Sequence, residues 1–369
     1  MKRARRSALL AVSALALYVS TQGATSQSQS LDQGFRPSFA TERLVAERLK
    51  RIPASGIVIG RIQNGKQGVW STGVLSIQQQ ILPNADTLFE IGSLTKTFTA
   101  LLLADAVSRS LVTLDDPLEV LLPGRHFSTS GGKPITLLHL ATHTSGLPRL
   151  PATMPLTDSA NPYAGFGPSQ LLYAAEREAP AASPGDQYLY SNFGYGLLAD
   201  ALCARASVPF ETLVRERITS PLGMADTGVM LGPSAQSRLA QGHDAAGQPA
   251  KAWDFSTMEG AGALRSSPRD MLTYLSAHLR SKGTGSPAGL DTVSIPRRPI
   301  DALGRWIGLA WHIQPLPNGN VIWHNGLTGG HAAFIGFSAD RRSGVVVLAN
   351  SSEPVDMIGF TELLAAVAQ

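Results

Sequence analysis

Ser93 and Lys96 lie three residues apart in FEIGSLTKTFTALLLADAV, Phe89 to Val107, where a glycine ends an apolar run and a helical pattern begins. On a helix that spacing puts hydroxyl and amine on one face, within reach of a hydrogen bond. A serine hydroxyl is a weak nucleophile until a base takes its proton, and a lysine can be that base only where burial or a nearby cation depresses its pKa. The helix start adds free backbone N–H groups and a positive dipole end. By itself the pair is weak, because many helices carry Ser-x-x-Lys with the lysine reaching out to water.

Two further elements offer matching chemistry. Tyr190-Ser191-Asn192 sits in PGDQYLYSNFGYGLLADAL, a turn-rich run entering a helix; a phenol can relay a proton, and an amide can orient a substrate carbonyl or the lysine. His324-Asn325-Gly326 sits in VIWHNGLTGGHAAFIGF, where a strand ends in a polar group and a glycine that lets a ligand approach the backbone. Alone, each is equally compatible with packing, since most tyrosines are amphipathic packing residues.

In this order, with LDDPLEVLLPG, ITLLHLATHTSGLPRL and ERITSPLGMADTGVM between them, the motifs resemble those of the class C β-lactamase family and its related D-alanyl-D-alanine peptidases and serine esterases. The resemblance runs from about Ser55 to Ser351. It implies a β-lactamase/transpeptidase-like fold and an active-site serine hydrolase that works through an acyl-enzyme, without cofactor or metal. By motif, it makes Ser93 the nucleophile, Lys96 its base, Tyr190 the proton relay to the leaving group and later to water, and Asn192 a substrate-orienting amide. The backbone N–H groups of Ser93 and Leu327 would form the oxyanion hole, with Gly326 letting substrate lie against the strand and His324 and Asn325 beside it.

One position departs from the pattern. The family's third motif usually reads Lys-Thr-Gly, a permanent cation facing the substrate carboxylate, whereas a histidine of ordinary pKa is mostly neutral at pH 7. Carboxylate recognition is therefore expected to be weaker or pH-dependent. The expected substrate is a small-molecule β-lactam or a D-alanyl compound derived from peptidoglycan, and the expected enzyme a monomer of the class C β-lactamase type. A D-alanyl-D-alanine carboxypeptidase or endopeptidase, a serine carboxylesterase and a non-enzymatic penicillin-binding sensor remain as alternatives.

The elements that must hold these residues follow from periodicity. SFATERLVAERLKRI places Leu44, Val45, Leu49 and Ile52 on one face of an amphipathic helix with charges opposite. Two β-rich runs then flank Asn64-Gly65, a dipeptide suited to tight hairpins. Helical patterns dominate residues 93–281, interrupted by LPATMPLTDSANPYAGFGPSQ, a loop long enough to rim a cleft. Strand patterns return from Trp306, and the chain ends in the helical FTELLAAVA. The fold class read from this is α/β of the α+β type: an antiparallel sheet from both chain ends flanked by helices, about residues 36–92 and 300–369, with a mostly helical region, about 93–299, inserted.

Composition bounds the setting. The first residues, with Lys2, Arg3, Arg5 and Arg6 ahead of the apolar stretch Ala8 to Val19, are laid out like a secretory signal peptide, expected over 1–26, which places the mature domain at 27–369 in the periplasm or outside the cell. The apolar run is shorter than the roughly 20 residues of a membrane span, so no anchor is expected. That leader holds four of the 31 basic residues and none of the 27 acidic ones, so the remainder is balanced, and without a basic block nucleic acid is not an expected partner. Cys203, the only cysteine, reads as a packed helical thiol. His139 and His143 lack the glutamate of a zinc-binding helix and read as structural, and Asp115-Asp116 as a capping turn.

Overall fold

In a computed structural model of the chain, the described residues are 31–368 apart from 33, 77, 79, 130, 156–157, 281–286 and 318; the expected leader, 1–26, lies outside them. Among the described residues no helix is long and apolar enough to cross a membrane. Helix α1 (Phe39–Arg51) leads into the hairpin of β1 (Gly56–Gln63) and β2 (Lys66–Gly73). Asn64 and Gly65 close that hairpin at φ 48° and 81°, the left-handed values for which the dipeptide is suited.

Apart from β3 (Phe89–Glu90) and β4 (Arg265–Ser266), which pair separately, the remaining strands come from the other end of the chain: β5 (Arg298–Pro299), β6 (Trp306–Ile307), β7 (His312–Gln314), β8 (Val321–Leu327), β9 (Ala332–Ser338) and β10 (Ser343–Ala349). The order of the main sheet is β2-β1-β10-β9-β8-β7-β6-β5, all neighbours antiparallel. The two chain ends join where β1 meets β10, from Ile57 opposite Ala349 to Gln63 opposite Ser343.

Every residue of β10 is buried, because the sheet is covered on both faces. Val345 and Val347 face the side of α1 and the C-terminal helix Asp356–Val367, while Val346 and Leu348 face the helix Pro268–Arg280. The glycines of two strands admit that last helix: Leu272 packs at Gly60 and Leu275 at Gly344, each within about 3 Å of where a Cβ would stand.

Arg48 departs from the amphipathic expectation for α1. It lies on the buried face with Val45, its guanidinium donating to the carbonyls of Ser351, Glu353 and Pro354 and to the Ser351 hydroxyl. The segment after β10 carries carbonyls that need donors, and a long charged side chain meets them from inside the layer. A second departure is a two-stranded ribbon of β3 (Phe89–Glu90) and β4 (Arg265–Ser266), which ties the segment ahead of Ser93 to the far end of the helical region.

Candidate active site

Ser93 lies in a 3₁₀ turn, Gly92–Leu94, that runs from β3 into helix α2 (Thr95–Ser108). That helix shows no separate apolar face, because all of it but its last two residues is buried, Lys96 and three threonines included. From Thr87 to Ala106 every residue except Ser93 is buried, so the segment offers one group to solvent, the Ser93 hydroxyl. Gly92 sits at φ 49°, where a Cβ would lie 2.8 Å from the Leu327 nitrogen. At Gly326 a Cβ would overlap the Ile91 carbonyl oxygen and stand 3.1 Å from the Ser93 nitrogen. Two glycines thus let the turn press directly against β8.

Strand register completes this part of the site. Hydrogen-bonded pairs alternate along β8 and β9, and the Thr328 N–H to His331 carbonyl bond fixes the phase, so the Leu327 N–H points away from β9. On that other edge β7 ends with His312 opposite Trp323. The Leu327 N–H therefore projects beyond the last β7 residue, beside the Ser93 turn.

Lys96 is completely buried. Its Nζ lies 2.8 Å from Asn192 Oδ1, 2.6 Å from the Ala261 carbonyl oxygen and 3.1 Å from Ser93 Oγ. Burial first, then the positive charge of Arg149, hold its pKa well below the ordinary lysine value. A neutral amine has two hydrogens and one lone pair. All three groups can accept from Nζ; in the neutral form, Asn192 and Ala261 can take both hydrogens and leave the lone pair for the Ser93 proton.

Tyr190 lies over this pair, its ring centre 4.9 Å from Lys96 Nζ. Burial pushes the phenol up to about 12, with the nearby Ser93 hydroxyl and Arg149 acting in the opposite direction. The turn that presents Tyr190 is stitched in place. His143, itself at φ 55°, accepts the Ser191 N–H at Nδ1 (3.0 Å) and sets its ring 4.3 Å from that of Tyr190. Ser191 caps the helix Asn192–Ala206, taking the Gly194 N–H at 2.8 Å while donating to the Pro148 carbonyl at 2.7 Å. Asn192 spends its amide on both sides, Oδ1 on Lys96 and Nδ2 on the Tyr163 hydroxyl at 2.7 Å.

The third motif differs from the sequence expectation. His324 is completely buried, with Nδ1 2.6 Å from the Asn325 carbonyl oxygen. Burial, followed by His312 and Lys96, holds it well below the usual histidine range. It stays neutral, so it cannot supply the pH-dependent carboxylate contact expected of an ordinary histidine. The pleat sends Asn325 to the opposite face of β8, where Nδ2 donates to Asp356 at 2.6 Å; its side chain is not part of the cleft. Gly326 packs on the Ser93 turn as described, and the Leu327 side chain is exposed.

Residues 41–369 match the family described as Beta-lactamase. The chain belongs to the beta-lactamase family. A beta-lactamase of Pseudomonas fluorescens is 28% identical over 333 residues, covering 81% of this chain and 89% of the relative. The D-alanyl-D-alanine-carboxypeptidase/endopeptidase AmpH of Escherichia coli K12 is 29% identical over 314 residues, covering 81% and 80%. Among solved structures, a beta-lactamase/D-alanine carboxypeptidase from Yersinia pestis, complexed with citrate, superimposes with a TM-score of 0.77 at 25% identity, covering 90% of this chain and all of that one. A class C beta lactamase from Rhodobacter sphaeroides gives 0.76 at 24%, covering 89% and 97%. The β-lactamase/transpeptidase-like fold expected from the motifs is the one present.

Four residues that sequence reasoning did not single out complete this member of the family. Tyr163 comes from the long loop expected to rim a cleft and stacks on Phe255, ring centres 4.4 Å apart. Ala261 contributes only a carbonyl, which no side-chain pattern reveals. Arg149 closes ITLLHLATHTSGLPRL, and its guanidinium carbon lies 5.2 Å from the centre of the Tyr190 ring. Glu90, three residues before Ser93, is buried; it accepts the Trp253 N–H and the Thr328 hydroxyl, each at 2.8 Å, and faces Arg265 at 3.5 Å. Its position in the apolar FEIGS run was the available signal.

The remaining candidates have local employment. His139 Nδ1 accepts the Thr136 N–H, whereas His143 is committed to Ser191, so the two rings serve different loops. Asp116 holds Thr113 through both its N–H and its hydroxyl, closing a turn rather than capping the helix that follows. Burial, with Asp200 and Glu259 nearby, pushes the Cys203 thiol up to about 12, which removes it as a nucleophile.

Proposed function

We propose that the protein is a serine hydrolase of the class C β-lactamase type, exported by its leader, that opens a cyclic or otherwise activated amide through an acyl-enzyme on Ser93. The observation that carries this is the buried Lys96 amine, held by Asn192 Oδ1 and the Ala261 carbonyl with its Nζ 3.1 Å from Ser93 Oγ, so that in its neutral form it can take the Ser93 proton. As the Ser93 Oγ bonds to the substrate carbonyl carbon, its proton passes to Lys96 Nζ. The carbonyl oxygen takes up negative charge and accepts from the Ser93 and Leu327 N–H groups, a preorganised pair worth several kcal/mol of barrier in such sites. The C–N bond then breaks as Tyr190 gives its proton to the leaving nitrogen, and Lys96 returns a proton to Tyr190. Water repeats the sequence on the ester, restoring Ser93 and releasing the acid.

Tyr190 suits this relay because its phenol stays protonated throughout the neutral range. His324 and Asn325 contribute packing and strand geometry rather than substrate contacts, Asn192 holds Lys96, and Gly326 and Leu327 border the acyl group. The peptidase reading has a specific observation in its favour: the relative AmpH is a carboxypeptidase/endopeptidase by name, with identity similar to that of the beta-lactamases. Steady-state opening of a chromogenic cephalosporin, set against release of D-alanine from a D-alanyl-D-alanine peptide, tests the choice. Cephalosporin turnover with no D-alanine release is the expected result, and the reverse would make the protein a peptidase.

A further inference from the structure

We propose that Arg149 recognises a carboxylate carried on the leaving-group side of the substrate, taking at the cleft mouth the place that a β8 cation would otherwise hold. The inference deepens the serine hydrolase reading and rests on it.

Arg149 is exposed, and among the described residues no acidic side chain is paired with it. Other arginines in this region are already engaged, Arg265 with Glu90 and Arg305 with Asp301. The backbone beneath Arg149 is fixed, because its carbonyl accepts the N–H groups of Asn192 and Phe193 at 3.0 and 3.1 Å. The side chain is thus free at its tip and anchored at its base, beside the residue that holds Lys96. Its guanidinium carbon and Lys96 Nζ lie 5.2 and 4.9 Å from the same Tyr190 ring centre. The guanidinium and the Lys96 amine beside Ser93 thus flank one phenol ring.

β8 itself offers no permanent cation. His324 is completely enclosed and Asn325 is turned to Asp356. Lys96 is committed to Asn192, Ala261 and Ser93. Arg149 is the exposed cation beside Tyr190, and a guanidinium presents a fork of donors matched to the two oxygens of a carboxylate. The leaving-group side follows from Tyr190, the proposed proton donor to the departing atom and the ring over which Arg149 lies. The substrate class is then an amide or ester whose departing half bears a carboxylate.

The test uses two esters of N-phenylacetylglycine, one with a phenol and one with m-carboxyphenol as the leaving group, on the full mature chain, with phenol release followed by absorbance. The quantity read is the ratio of kcat/KM for the carboxylated ester over the neutral one. Both esters are measured on the same preparation, so partial misfolding of a variant moves both rates and leaves the ratio. The expected result is a wild-type preference for the carboxylated ester that falls about tenfold in Arg149→Gln, as loss of a charge-assisted contact would produce. Arg149→Lys should lose less. Ser93-dependent hydrolysis with a ratio unchanged in Arg149→Gln would overturn the role of Arg149 alone. Hydrolysis of either ester that persists in Ser93→Ala would overturn the hydrolase reading and this inference together.

Discussion

Gly92 and Gly326 cross at a distance that only two glycines permit: a Cβ on the first would lie 2.8 Å from the Leu327 nitrogen, and one on the second would overlap the Ile91 carbonyl oxygen. This crossing brings the Ser93 and Leu327 backbones together. A methyl group at Gly326 must separate β8 from the turn, which spoils the placement of both N–H groups. Gly326→Ala should lower kcat by about 10²–10³-fold, the usual cost of losing an oxyanion donor, with a near-wild-type circular dichroism spectrum. An undiminished kcat would detach the Leu327 N–H from the reaction.

In the proposed mechanism Lys96 acts as base only in its neutral form. Its pKa is depressed by burial and by Arg149, so kcat/KM should rise with pH along an acid limb and then level off. Arg149→Gln removes one of the two causes and should move that limb to higher pH. A limb that stays in place in the variant would contradict the electrostatic link between the two residues.

The same depressed pKa has a stability consequence. Below the unfolded lysine value of 10.5 the unfolded chain holds a proton on this side chain that the folded chain resists, so folding is disfavoured there and stability recovers as pH rises. Lys96→Met should abolish turnover while changing Tm more favourably at pH 6 than at pH 10, measured by thermal denaturation. A Tm difference from wild type that is constant with pH would show that Lys96 folds with its charge intact.

Tyr190→Phe keeps the ring against His143 and removes the proposed proton donor. A kcat loss of about 10²-fold or more is expected, in the range for a general acid–base residue. Since the phenol is held up to about 12, wild type should show no alkaline fall in kcat attributable to Tyr190 across the neutral and mildly alkaline range.

Glu90 joins the segment before Ser93 to the turn after Leu327. Burial works to raise its pKa, but His331, Thr328 and Arg265 together outweigh it and the net direction is down. Its contribution is therefore present above the unfolded carboxylate value and is lost as pH falls through the folded one. Glu90→Gln should cost about 1–3 kcal/mol at pH 7, a deficit that shrinks in acid. Urea unfolding at both pH values checks this, and an equal deficit at both would remove the charge from the account.

The motifs were legible because the chemistry needs particular side chains at fixed spacing: Ser93 with Lys96 on one turn, and Tyr190 at the entry to the helix that begins with Asn192. The hairpin at Asn64-Gly65 and the sheet built from both chain ends followed from local pattern. What the sequence concealed is whatever depends on the third dimension. Arg48 reads as a surface charge until the carbonyls after β10 are seen to surround it. Ala261 acts through a backbone atom. Arg149 and Glu90 meet partners far away in the chain, Tyr190 for the first and Trp253 and Thr328 for the second. His324 misled for a related reason, since its motif position suggests a group facing substrate, whereas burial makes it a neutral packing residue.

The most direct test of the central claim is intact-protein mass spectrometry of the mature chain during reaction with benzylpenicillin, alongside Ser93→Ala and Lys96→Ala. An acyl-enzyme on Ser93 activated by Lys96 gives a transient mass increase of one penicillin in the wild type, resolving to free enzyme and opened product, and no adduct in either variant. An adduct that forms equally well in Ser93→Ala, or penicillin opening by wild type with no Ser93-dependent intermediate, would contradict it.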